Sequence, residues 1–210
     1  MSVKASRTAS GPSRLEIHVN LVDGSVSKFL QDDSDAIQKI LDGFSPNTLF
    51  DQPYLIIETP TSVAIFPSKN IARIEIHLDK KPTWKPRWKP RWANRIAKIK
   101  DVTAEFGRRV PDYDDLPLSH QRRKKPGDRF HGFGYIRLAN KEEIILEVNT
   151  RLADEVTQKS GLHAILGEST IFFPKAGGGF SFINTANIVR LELLPGQPEV
   201  APNAWPARPI

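Results

Sequence analysis

Asn70 to Ile76 reads NIARIEI, and Asn187 to Leu193 reads NIVRLEL. The two heptapeptides stand 117 residues apart, and the same offset, without a gap, sets Leu21 against Leu138 and Phe29 against Leu146. It also brings two expected helices into register. Self-similarity at a fixed period is the sequence signature of a repeated structural unit. The chain therefore reads as two copies of one small module, over residues 14–78 and 132–194.

Each copy reads as strand, strand, helix, then further strands. In RLEIHVNL, residues 14–21, Leu15, Ile17, Val19 and Leu21 alternate with Glu16, His18 and Asn20, the period of two of a half-buried strand. Asp23-Gly24 supplies a tight hairpin turn, because both residue types tolerate positive φ. Asp33 or Ser34 caps a helix carrying Ala36, Ile37, Ile40, Leu41 and Phe44 on one stripe, and Gly43 can end it. YLIIE, SVAIF and IARIEIHL follow as β-rich runs. In the second copy GYIRL and EIILEV flank an Asn140-Lys141 turn, Asn149 is placed to cap a helix with Leu152, Ala153 and Val156 inside, and TIFF, GFSFI and IVRLELL complete the order. Strands gathered around one helix per copy predict an α+β fold. Neither copy is large enough to bury more than a modest core alone, so the two are expected to pack together or against a second chain.

Residues 79–131 join the copies. This connector carries 16 Lys+Arg against 7 Asp+Glu, a net of +9, whereas the rest of the chain sums to −3 within the overall +6. Charge segregated in this way calls for an anionic partner. The connector contains TWKPRWKPRW, Thr83 to Trp92. Prolines at 82, 86 and 90 forbid a continuous helix. In an extended chain Trp84, Trp88 and Trp92 share one face with the prolines, spaced by about 13 Å, and Lys85, Arg87, Lys89 and Arg91 share the other. ANRIAKIKDVTAEF then reads as a short helix, and Arg122, Arg123, Lys124 and Lys125 extend the positive path.

Three uses of such a ribbon compete. Cations neutralise phosphates while indoles stack on bases, giving binding to nucleic acid or another polyanion, which is the preferred expectation. Alternatively the indoles strap into pockets of partner proteins in an assembly, since Trp and Arg dominate interface hot spots. Third, the stretch looks like short Trp/Pro/Arg-rich membrane-active peptides, which implies a peripheral contact with an anionic membrane surface. The plainer alternative folds the indoles back onto the repeats and leaves the cations solvated.

His131 to Leu138, HGFGYIRL, resembles the RNP-1 strand of RNA-recognition and cold-shock domains. Gly132, Phe133, Gly134, Tyr135 and Ile136 match, while His131 stands where a Lys or Arg is usual and Leu138 where an aromatic is. The resemblance implies that Phe133 and Tyr135 present their rings from one strand face to stack on bases.

Candidates for chemistry are few. His18 and His77 each follow a glutamate by two residues, in LEIHV and IEIHL. If those strands pair, two imidazoles and two carboxylates meet on one face, a metal-ligating set; otherwise they are exposed strand positions, with Glu16 or Glu75 paired to a nearby Arg. The second copy has Tyr135 and Leu194 at the matching positions, and no metal or cofactor is assigned. Asp112 to Asp115, DYDD, lacks the Gly and Glu spacing of a calcium loop. KAGGG lacks the GK[ST] of a phosphate loop. Ser62, Ser119 and Ser181 have no identifiable base, and His120 and His163 stand alone. No catalytic residue is assigned, and the expectation is a binding protein rather than an enzyme.

The chain has no cysteine, which excludes disulfide scaffolds, zinc–thiolate sites and thiol nucleophiles. It fits a reducing compartment, and a cytoplasmic location is expected. No apolar run approaches the length of a membrane span, about 20 residues. Residues 1–13 lack the apolar core of a secretory signal and read as a disordered tail. Their Ser- and Arg-bearing, acid-free composition would also suit a transit peptide. Residues 195–210 carry a proline every three or four positions and read as extended, with Trp205 as the one large apolar handle.

Overall fold

Strand β1 (Leu15–Leu21) alternates apolar and polar residues, and it pairs antiparallel on one side with β2 (Val26–Gln31) and on the other with β5 (Ile71–Leu78). The structure, a computed structural model, describes residues 11–43, 45, 48–80, 98–107, 129–151, 167–175 and 178–194. Among these the fold is mixed, mostly strand with two helices. Between β2 and β5 come helix α1 (Ser34–Gly43) and the hairpin of β3 (Tyr54–Glu58) and β4 (Val63–Pro67). Asp33 caps α1, its Oδ1 accepting from Ala36 N at 2.7 Å, and Ile37 and Leu41 bury the helix against the core.

The second half adds strands β6 to β11. Strand β7 (Arg129–Leu138) pairs with β8 (Glu143–Arg151) and with β11 (Ile188–Leu194), and β9 (Thr170–Pro174) forms a hairpin with β10 (Phe180–Asn184). That hairpin does not stay with its own half. β10 pairs with β5, Phe182 opposite Ile74 and Phe180 opposite Ile76. The result is a five-stranded sheet ordered β2-β1-β5-β10-β9, beside a four-stranded sheet ordered β11-β7-β8-β6, where β6 is Lys98–Asp101.

One core therefore serves both halves. Leu15, Val19, Ile74 and Ile76 of the first lie in the same buried cluster as Ile136, Leu138, Ile144 and Phe182 of the second. Polar side chains tie the halves as well. Asn184 donates through Nδ2 to Ser68 O and Ile71 O, both at 3.0 Å, and Asn187 donates to Ile71 O at 2.8 Å. These amides bond the carbonyls of Ser68, in the 3-10 turn Ser68–Asn70, and of Ile71, the first residue of β5.

The two first hairpins close alike. Gly24 N donates to Leu21 O at 3.1 Å and Lys141 N to Leu138 O at 2.9 Å. Asp23 Oδ1 accepts from Ser25 N, and Asn140 Oδ1 from Glu142 N. Gly24 has φ +88° and Lys141 φ +67°. A side chain in the left-handed region costs about 1–2 kcal/mol, against about 0.5–1 kcal/mol for the extra backbone freedom of glycine. Lys141→Gly is thus expected to stabilise the protein by about 0.5–1 kcal/mol, read as a rise in the urea midpoint at unchanged slope.

Three sequence expectations are corrected. Asn149 does not cap a helix: β8 runs through it to Arg151, and it faces Lys98 on β6 and His131 on β7. Ladders on both sides hold the strand extended. Of the helix expected over residues 93–106, residues 93–97 lie outside the described residues, and the rest is instead strand β6 followed by a single turn, α2 (Thr103–Phe106). Val102, 2% exposed, anchors this junction among Phe133, Tyr135 and Ile145. Thr103 Oγ1 there accepts from Ile145 N at 2.9 Å. Part of the connector thus belongs to the second sheet, and β7 begins at Arg129 rather than at residue 132. The second-copy helix expected near Leu152, Ala153 and Val156, and Phe44 of the first, lie outside the described residues.

Candidate functional site

Antiparallel pairing of β1 with β5 sets Glu16 opposite His77 and His18 opposite Glu75. Alternation places all four side chains on one face of the sheet, together with Arg73. Ser181 joins them from β10, opposite Glu75. Ile17, Val19, Ile74 and Ile76 take the other face, so the period that buries the core also gathers the polar groups.

Glu75 is the hub. Its side chain is only 9% exposed, and its Oε1 receives Lys175 and, at 3.3 Å, Arg73 Nη2. Arg73 also meets Glu142, from the turn before β8. Glu75 Oε2 faces the imidazoles: His77 Nε2 is 3.7 Å away and His18 Nδ1 4.0 Å. The two rings lie 4.5 Å apart at 44°. On its far side His18 Nε2 is 3.3 Å from Glu16 Oε2, and Arg14 Nη2 holds Glu16 Oε1 at 2.6 Å.

Electrostatics separate the carboxyls. Burial works to raise the Glu75 carboxyl, but Arg73, Lys175 and His77 outweigh it, and it sits below the ordinary glutamate value. Burial raises Glu142, and the pull of Arg73 does not offset it. Burial, reinforced by Lys175, lowers His77 and keeps its ring neutral at pH 7. At neutral pH the site can hold ions and protons at defined atoms, and its three converging donors, His18, Glu75 and His77, lie within 4.8 Å of one another.

The structure thus brings together the imidazole and carboxylate pairs of LEIHV and IEIHL, and not as exposed strand positions. Both glutamates also have the arginine partners that the alternative expected. Sequence reading missed Glu142 and Lys175, which approach from turns far along the chain, and gave Ser181 no partner group. The crossing of β10 onto β5 places Ser181 and Lys175 here, and the turn between β7 and β8 brings Glu142.

The aromatic pair of HGFGYIRL sits elsewhere. Phe133 and Tyr135 do point to one face of β7, but they are 6% and 5% exposed. Phe133 packs edge-on against Phe106 at 5.2 Å, and Arg190 lies 5.9 Å over the Tyr135 ring. His131, at the position of the usual cation, binds Glu147 at 2.6 Å. Both rings are covered by neighbouring side chains, whereas the RNP-1 resemblance implies rings open on the strand face. Trp84, Lys85, Arg87, Trp88, Lys89, Arg91 and Trp92, like Arg122, Arg123, Lys124 and Lys125, lie outside the described residues. No helix among the described residues is long and apolar enough to cross a membrane. Comparison with protein-family models, with curated proteins and with solved structures gives no match for this chain.

Proposed function

We propose that the chain is a non-enzymatic binding protein, a duplicated sheet scaffold that offers its basic, Trp-rich connector to a polyanion, nucleic acid first. The duplication is supported by element positions. Val63–Pro67 and Phe180–Asn184, the 3-10 turns Ser68–Asn70 and Thr185–Asn187, and the first residues of β5 and β11 each differ by 117. The matching turn hydrogen bonds at Gly24 and Lys141 keep the same offset.

The observation that carries the binding reading is charge segregation: +9 over residues 79–131 against −3 elsewhere. The connector is also tethered to the scaffold. Ser13 and Arg14 bond Asp79 at its start, and β6 is stitched to β8 within it. A tethered cationic ribbon loses less freedom on binding than a free tail.

Trp emission titrated with a short single-stranded oligonucleotide tests the reading. Saturable quenching is expected at about 50 mM salt, with affinity falling by about 300-fold or more by 200 mM if six or more phosphates are neutralised. Replacing Trp84, Trp88 and Trp92 with Ala should abolish the quenching. A flat titration at low salt would sink the proposal. A second reading, an assembly subunit that straps partner proteins, is favoured by one observation. Tyr54, Ile56, Val63 and Ile65 lie on the solvent side of the β3–β4 hairpin, each 54–62% exposed. In β9–β10, Phe172 and Phe182 take the places of Ile56 and Ile65 and are buried. Grouped exposed apolar side chains mark contact surfaces, so a silent oligonucleotide titration would turn attention to this face.

A further inference from the structure

Six buried side-chain N or O atoms among the described residues lack a hydrogen-bond partner, and four of them belong to one patch: Arg73 Nε, His77 Nε2, Glu142 Oε2 and Ser181 Oγ. Orphaned buried polar atoms are costly and uncommon; of these four His77 Nε2 calls for a bound cation, and the other three call for water. We propose that His18, Glu75 and His77 bind one divalent transition-metal ion of the zinc class, with Glu16 positioning His18.

The donor set fits such an ion. Glu75 uses Oε1 for Arg73 and Lys175, which leaves Oε2 directed at two ring nitrogens that lie beyond hydrogen-bonding distance, at 3.7 and 4.0 Å. Two imidazoles and one carboxylate are a ligand set for zinc that leaves one position open. Ligands of a tetrahedral ion with bonds of about 2.1 Å stand about 3.4 Å apart. The donors lie within 4.8 Å of one another, so side-chain shifts of up to about 0.7 Å each would close the present arrangement onto a metal.

Glu16 supplies the outer contact. A ligating histidine ordinarily gives its second ring nitrogen to a carboxylate, which fixes the tautomer. Glu16 Oε2, 3.3 Å from His18 Nε2, leaves the Nδ1 lone pair facing Glu75 and His77. Arg14 fixes Glu16 in turn. The surrounding charges balance before any metal enters: Glu16, Glu75 and Glu142 against Arg14, Arg73 and Lys175. Arg73 and Lys175 oppose a dication, so the imidazoles must carry the affinity, which favours nitrogen-seeking zinc or cobalt over magnesium or calcium. The His77 side chain is 35% exposed overall, while its Nε2 is buried. The second half offers Tyr135 opposite Glu192, and Leu194 opposite Phe133, so the site belongs to the first half alone.

The test is titration of the full chain, freed of metal with a chelator, by cobalt(II) followed in the visible, and by zinc in competition. One equivalent of cobalt is expected to bind, with d–d bands of a four- or five-coordinate ion that zinc displaces. His77→Gln, a partly exposed change, should abolish the bands while leaving the far-ultraviolet circular dichroism and the melting temperature of the metal-free protein in place. Glu16→Gln should weaken binding about 10- to 100-fold, the usual effect of losing an outer-shell carboxylate. No saturable binding would overturn the site, and so would an equivalent of cobalt bound alike by wild type and by His77→Gln.

Discussion

Gly179→Ala is expected to destabilise the protein by about 2–5 kcal/mol, against about 1–2 kcal/mol for Gly178→Ala. The neighbours share nearly the same φ, +100° at Gly179 and +101° at Gly178. Any side chain in that region costs about 1–2 kcal/mol at either position. Their surroundings differ. A Cβ on Gly178 would meet only Leu78 O, at 3.5 Å, an ordinary contact. On Gly179 it would stand 1.9 Å from Ile76 O, 2.9 Å from Ile76 C and 3.1 Å from His77 Cα. All three are backbone atoms of β5, the central strand, and none can rotate aside. Overpacking of a rigid site adds about 1–3 kcal/mol. The methyl can be housed only by moving β10 off β5, where the two halves share their sheet. Urea denaturation of the two variants is the measurement. Equal losses would mean that β10 does not approach β5 this closely.

That junction also marks where sequence stopped being informative. Strands with a clean alternation, such as Leu15–Leu21, and turns with specific chemistry, such as Asp23-Gly24, were legible because their signals are local. The helix cap at Asp33 was legible for the same reason. Asn149 misled because a good capping residue near an apolar run suits a helix start, and only the ladders from β6 and β7 decide for strand. Residues 98–106 misled similarly: Lys98, Ile99 and Lys100 suit helix or strand, and the docking of Val102 on Ile145 decides. Phe133 and Tyr135 followed their predicted alternation, but alternation says which residues share a face and not whether that face is covered. His18 and His77 could be set on one face given pairing of β1 with β5. The rest of their cluster could not be read from the sequence, because Glu142 and Lys175 arrive through contacts spanning the two halves.

Glu75→Gln should cost about 3–5 kcal/mol in metal-free protein at pH 7, the usual consequence of removing one partner from a buried ion pair. The substitution keeps the volume and removes the charge. Lys175, 21% exposed, is left without its anion, and Arg73, 11% exposed, keeps only Glu142. The pH dependence follows from the direction of the shift. Burial pushes the Glu75 carboxyl up, but Arg73, Lys175 and His77 bring it below the ordinary value of 4.5. A depressed carboxyl stabilises the fold fully above its unfolded value and loses that stabilisation as pH falls through its folded value. The gap between wild type and Glu75→Gln should therefore be full at pH 7 and close below about pH 4.5. Glu142 has the opposite sign. Burial raises it, so its cost builds up as pH rises from its unfolded to its folded value and stays constant above that. Glu142→Gln should consequently lose less at pH 7 than Glu75→Gln, although both carboxylates touch Arg73. Urea unfolding of the two variants with chelator present, at pH 7 and at steps from 5 to 3, separates the roles. Equal losses at pH 7 would make Arg73 the hub of the cluster, whereas a larger loss for Glu75 assigns that place to the carboxylate facing both imidazoles.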